Sequence, residues 1–188
     1  MKNDPKSIGA KCGICPLGRG GNPHKPVCAV IPVSPVGILV GDAPRKEDTE
    51  ATRPFSGQTG EALAGSLSKA GLSLRTLIQI NAVCCEPPTK KDWAHLGGAV
   101  EACRPAFVSQ LEKYKHLPVL LMGKWAFQAW TGRAKAIDNA RGFVRNVQLK
   151  GQTDDEGRSI EFPEQASRSL DGPSEGDDPG DAGTLEED

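Results

Sequence analysis

What the 188-residue chain lacks narrows the field first. No apolar run approaches the roughly 20 residues that span a bilayer, so no membrane role is expected. The opening Met-Lys-Asn-Asp-Pro-Lys is not followed by the apolar stretch of a secretory leader, which predicts cytoplasmic residence. In a reducing compartment the six cysteines read as metal ligands or core residues rather than disulfides. Internal repeats are absent. Acidic residues are scarce over residues 1–150, with 11 against 21 Lys and Arg, and basic ones are scarce afterwards, with 2 against 13. The formal net charge of −1 therefore conceals a body of +10 and a tail of −11. A basic body suits a polyanion such as nucleic acid, although dispersed surface lysines give the same count.

The remaining pattern divides into three parts. Residues 1–35 are rich in Gly, Pro and Lys, without periodicity, and read as loop. From Val36 strands alternate with helices. Strands are expected at 36–41, 76–83, 118–123 and 143–149. Helices are expected from Thr59 to Gly71, from about 96 to 115 with Leu96, Val100, Cys103, Phe107 and Leu111 at helical spacing, and from Lys124 to Trp130. This alternation predicts an α/β three-layer sandwich: a mainly parallel central sheet of about four strands with helices on both faces. Residues 1–150 form the expected domain. Residues 151–188 hold few apolar side chains and are expected to be a disordered acidic tail.

Several residues carry chemistry. Gly41-Asp42-Ala43-Pro44 directly follows an apolar strand, placing a carboxylate where open α/β sheets build their sites, outside the carboxyl ends of strands. Asp42 could equally cap the next element. Phe55, between Pro54 and Ser56-Gly57, reads as a loop aromatic rather than a core one. Asn81 ends a strand and offers both a donor and an acceptor, though such residues are often plain turn formers. Lys90 and Lys91 are either phosphate contacts or solvated surface. Cys12 and Cys15 form a CxxC, and Cys84, Cys85 and Cys103 follow in the body. Structural zinc and a four-thiolate centre fit equally well, as does a core role for Cys103. If the second strand continues, Cys84 and Cys85 face opposite ways and only one ligates.

Four segments fall in a specific order: Cys12-Gly-Ile-Cys15-Pro-Leu; Gly41-Asp42-Ala43-Pro44 with Arg53-Pro54-Phe55-Ser56-Gly57-Gln58-Thr59-Gly60; Asn81-Ala-Val-Cys84-Cys85-Glu-Pro87-Pro88; and Glu101-Ala-Cys103-Arg-Pro105. With Met122-Gly123-Lys-Trp-Ala126 and Arg141-Gly142, they resemble the family 4, iron–sulfur uracil-DNA glycosylases over roughly residues 10–145. The resemblance implies a DNA repair enzyme that acts as a monomer on uracil-containing DNA. It implies a 4Fe–4S cluster on Cys12, Cys15, Cys85 and Cys103, with zinc as the alternative metal and Cys28 as the spare thiol. Cys85 is preferred to Cys84 by its offset from the Glu-Pro-Pro run. Asp42 becomes the catalytic carboxylate, Gly41 and Ala43 its pocket neighbours, Phe55 the stacking surface and Asn81 the reader of the base. Lys90 and Lys91 become contacts to the DNA backbone.

The sequence also departs from the family pattern. Asp42 stands where Glu is usual, Arg45 and Thr52 stand where Gly is usual, and no histidine follows His116, so the late His-Pro-Ser motif is missing. Reduced glycosylase activity is therefore expected, and a non-catalytic nucleic-acid-binding relative is the alternative.

Overall fold

The computed structural model describes residues 4–18, 25–94 and 96–132. Three short runs of aliphatic residues form its sheet: β1 (Gly37–Gly41), β2 (Leu77–Asn81) and β3 (Val119–Leu121). They pair in the order β2-β1-β3, all parallel. Every residue of β1 and β2 is buried, as expected of strands covered on both faces. The register sets Gly41 opposite Asn81 at the carboxyl ends of the strands. This is the α/β class that the alternation predicts. The fourth expected strand, 143–149, and the acidic tail lie outside the described residues.

Five helices surround the sheet among the described residues: α1 (Lys46–Ala51), α2 (Gln58–Lys69), α3 (Lys90–Ala94), α4 (Gly97–Leu111) and α5 (Lys124–Thr131). None is long and apolar enough to cross a membrane. α2 starts one residue before the expected Thr59, because the Gly57 carbonyl already accepts the N–H groups of Gly60 and Glu61 at 2.9 and 3.2 Å. The expected helix over 96–115 is α4 followed by one 3₁₀ turn, Glu112–Tyr114. β2 ends at Asn81, so the alternation argument for Cys84 and Cys85 does not apply. The sequence pattern missed α1 and α3, whose five or six residues are too few to establish a periodicity.

The core lies between the sheet and α4 and α5. Ile38, Val40, Ile78 and Ile80 meet Val100, Phe107, Leu111 and Trp130. The Phe107 and Trp130 rings pack edge to face, 6.4 Å apart at 86°. Pro105 sits inside α4 and has no N–H for the carbonyl of Glu101. One residue along, the Ala102 carbonyl accepts the Lys11 N–H at 2.8 Å, which ties the CxxC loop to the helix that carries Cys103. Phe107 is 2% exposed. Phe107→Ala should therefore cost about 3–5 kcal/mol, read as a lowered urea midpoint at unchanged slope.

Candidate active site

A cavity of about 610 Å³ opens at the carboxyl ends of β1 and β2, with Gly41, Asp42, Ala43, Phe55 and Asn81 in its lining. All five pocket residues named from the sequence therefore converge. Gly41 makes the close approach possible: a Cβ there would collide with Asn81 Oδ1 and lie 3.0 Å from the Phe55 ring. Backbone, amide and aromatic ring thus share one corner.

Asn81 is 4% exposed, and among the described residues its Nδ2 has no hydrogen-bond partner. A buried amide donor left unpaired costs about 1–3 kcal/mol, so the arrangement suits an acceptor supplied by a ligand. Phe55 holds φ at +59°, a left-handed conformation that a bulky residue rarely adopts. Such strain is characteristic of sites that the surrounding structure over-determines.

Asp42 has two attachments rather than one. Its Oδ1 accepts the N–H groups of Trp125 at 2.9 Å and Ala126 at 2.8 Å, so it caps the start of α5 from a distant loop. The capping role weighed from sequence is real, but its target is α5, eighty residues away, rather than the next element. Gly123, at φ +116°, provides the space, since a Cβ there would overlap the carboxylate. Burial pushes the Asp42 carboxyl above its ordinary value, and the Ala126 and Trp125 amides pull it back only partly.

Three further residues in or beside the cavity, Asp48, Glu86 and Trp93, escaped the sequence reading. Arg45 sets its guanidinium 4.9 Å from the Trp93 ring, and both line the cavity. Asp48, on α1, is buried. Glu86 lines the cavity and accepts the Thr49 hydroxyl at 3.0 Å. Arg45 stands out in the sequence only as a side chain where Gly is usual. Its stacking on Trp93 had no signal, because the two residues meet through the unforeseen helices α1 and α3. Lys90 and Lys91 begin α3, exposed, on the helix that supplies Trp93.

The thiols gather in a second group. All six cysteines are free. Cys103, on α4, is in thiol contact with Cys15 and Cys84, whose hydrogen bonds push it below its ordinary value. Cys15 is raised by its bond to Cys103 and by burial, and Cys84 by Cys103 and Cys28. Burial pushes Cys85 up to about 12, with the charges of Cys103 and Cys12 adding to it. Cys12 is raised by burial and by Cys103. The CxxC loop, the segment after β2 and α4 are thus electrostatically one unit. Cys28, set aside from sequence as the spare, touches Cys84. Among the described residues no three His, Cys, Asp or Glu side chains close on a point as a single ion requires. A set of thiols arranged around Cys103 is a donor chemistry that suits structural zinc and an iron–sulfur centre alike.

An α/β domain with a carboxylate, an aromatic ring and an amide at the ends of adjoining parallel strands belongs to a recognisable class. Residues 30–167 match the uracil DNA glycosylase superfamily, and the chain belongs to it. It is 29% identical over 118 residues to the Type-4 uracil-DNA glycosylase of Pyrobaculum aerophilum, and 30% identical over 119 residues to that of Archaeoglobus fulgidus. Each alignment covers 61% of this chain, which spans only 59% of either relative's length.

Proposed function

We propose that this chain is a uracil-DNA glycosylase that hydrolyses the N-glycosidic bond of uracil flipped out of DNA. The observation that carries the reading is the unpaired Asn81 Nδ2, on a buried side chain that shares the Gly41 corner with the Phe55 ring, in a cavity that Asp42 also lines. An enzyme acting on a base must take it out of the stack and read its edge in a pocket. Phe55 supplies the stacking face and Asn81 the hydrogen bonds to the pyrimidine edge. Asp42 keeps Oδ1 on the α5 amides, which fixes the carboxylate while its charge orients the attacking water and stabilises the cationic sugar. Lys90 and Lys91, exposed on the helix that supplies Trp93, would hold the phosphate backbone without regard to sequence.

Cys12, Cys15, Cys85 and Cys103 would hold a 4Fe–4S cluster, with zinc the lesser alternative. When bound it would cross-link the CxxC loop, the segment after β2 and α4 at one point, next in sequence to Glu86, which lines the cavity. The thiol contact between Cys84 and Cys103 leaves the fourth ligand open to Cys84.

A histidine after His116, which the resemblance implies would stabilise the departing base, is missing from the sequence. Losing one preorganised donor costs on the order of 100- to 1,000-fold, so turnover is expected to be slow. The test is alkaline nicking of a uracil-bearing oligonucleotide after hours of incubation with excess protein. Slow cleavage at uracil alone supports the reading. Tight DNA binding with no cleavage would favour a non-catalytic relative.

A further inference from the structure

We infer that Asp48 is a positioning residue for the cavity, its two carboxylate oxygens fixing the backbones on which both walls of the entrance are built. The inference deepens the glycosylase reading and rests on it.

Asp48 is 7% exposed, and no ion pair holds it among the described residues. Burying an unpaired carboxylate is costly unless backbone donors satisfy it. Here Oδ1 accepts the Ser56 N–H at 2.7 Å and Oδ2 accepts the Arg45 N–H at 3.0 Å. The Asp48 carbonyl accepts the Arg53 N–H at 2.9 Å, and the Ser56 hydroxyl closes the loop on the Arg53 carbonyl, also at 2.9 Å. Phe55 is therefore clamped from both sides, by the residue two before it and the residue just after it. Both clamps end on Asp48.

That clamp explains how Phe55 keeps its positive φ. A bulky residue in the left-handed region is strained and relaxes unless neighbouring backbone is held. Relaxation would lift the ring away from Gly41 and Asn81, where it now lies. The second oxygen fixes Arg45, whose guanidinium stacks on Trp93 across the entrance. A plain helix cap would need only the Arg45 bond. The shorter bond, to Ser56, reaches outside α1 and does nothing for that helix.

Asparagine at position 48 keeps the shape but offers one acceptor and one NH₂ to two N–H donors, so one tether must fail. The experiment is a double-mutant cycle on single-turnover uracil release, with wild type, Asp48→Asn, Phe55→Ala and the pair. Asp48→Asn should slow release about 100-fold, the cost of a misplaced reacting group. In the Phe55→Ala background it should add no more than about 3-fold, because the ring it serves is gone. Asp48→Glu, which keeps both acceptors, should recover part of the rate. Losses that multiply in the pair, or an Asp48→Asn protein that melts lower yet releases uracil normally once folded, would overturn the inference. If Asp48→Asn does not fold, Asp48→Glu carries the same cycle. Should wild type release no uracil, the glycosylase reading fails by itself. The cycle is then read in affinity for the same oligonucleotide, alongside hydrogen exchange at the Ser56 amide. Affinity losses that couple through Phe55 keep the inference, and a fast-exchanging Ser56 amide in wild type ends it.

Discussion

Alanine at position 42 is expected to slow uracil release by on the order of 100- to 10,000-fold, the range for losing a positioned acid–base group. It should also destabilise the fold by about 1 kcal/mol, since the Trp125 and Ala126 amides lose their cap. Asparagine separates the two effects. Its amide oxygen keeps the cap while the charge is lost, so release falls but α5 stays anchored. The raised Asp42 carboxyl gives both properties a pH dependence. Release needs the ionised form, so its acid limb should lie above the ordinary carboxylate range and vanish in Asp42→Ala. Stability runs the other way. A carboxyl raised by burial is stabilising when protonated, below its unfolded value, and that contribution is lost as pH rises through the folded one. At neutral pH Asp42→Asn should therefore melt above wild type, with the gap closing in acid. A melting difference that widens in acid would contradict the assignment.

The second large effect concerns the thiols. Protein prepared without oxygen should be brown and contain iron with acid-labile sulfide. Cys103→Ala should lose the colour altogether and most of the soluble yield, because Cys103 is the thiol whose charge the others sense. Cys28→Ala should keep the colour, since its thiol hydrogen bond is to Cys84 and not to any of the four proposed ligands. Stoichiometric zinc without iron, from cells replete in iron, would turn the assignment to the alternative metal. Colour in Cys85→Ala but not in Cys84→Ala would move the fourth ligand to Cys84.

The parts of this site that could be read in advance share a cause. β1 and β2 are buried on both faces, so they appear as unbroken aliphatic runs, and each stops at a polar residue or glycine that marks the site. Asp42 and Asn81 were visible for that reason. Phe55 was visible because Pro54 before it and Ser56-Gly57 after it mark a loop. Asp48 was not, because its helix is six residues long and its N-cap is Arg45, outside the usual Ser, Thr, Asp and Asn. Nor was the union of Asp42 with α5, since a bond across 83 residues leaves no local pattern. The ordering of the thiols was half legible. Spacing suggests which cysteines are candidates, but the contact between Cys84 and Cys103 depends on where β2 stops.

The pairing of Gly41 with Asn81 sets how the chain tolerates changes in length. Both ends of the cavity corner are reached by counting residues along parallel strands, and a shift of one along β2 would turn the Asn81 side chain to the other face. A single deletion between Leu77 and Asn81 should therefore erase the site while leaving the apolar content of the sheet nearly unchanged. The connection from α2 into β2, residues 70–76, enters at the opposite end of the strand and carries none of the cavity residues. Insertions at its start, before the 3₁₀ turn Leu74–Thr76, mainly alter loop entropy, which grows slowly with length. Length variation among functional relatives should then accumulate before β2 and be absent within it.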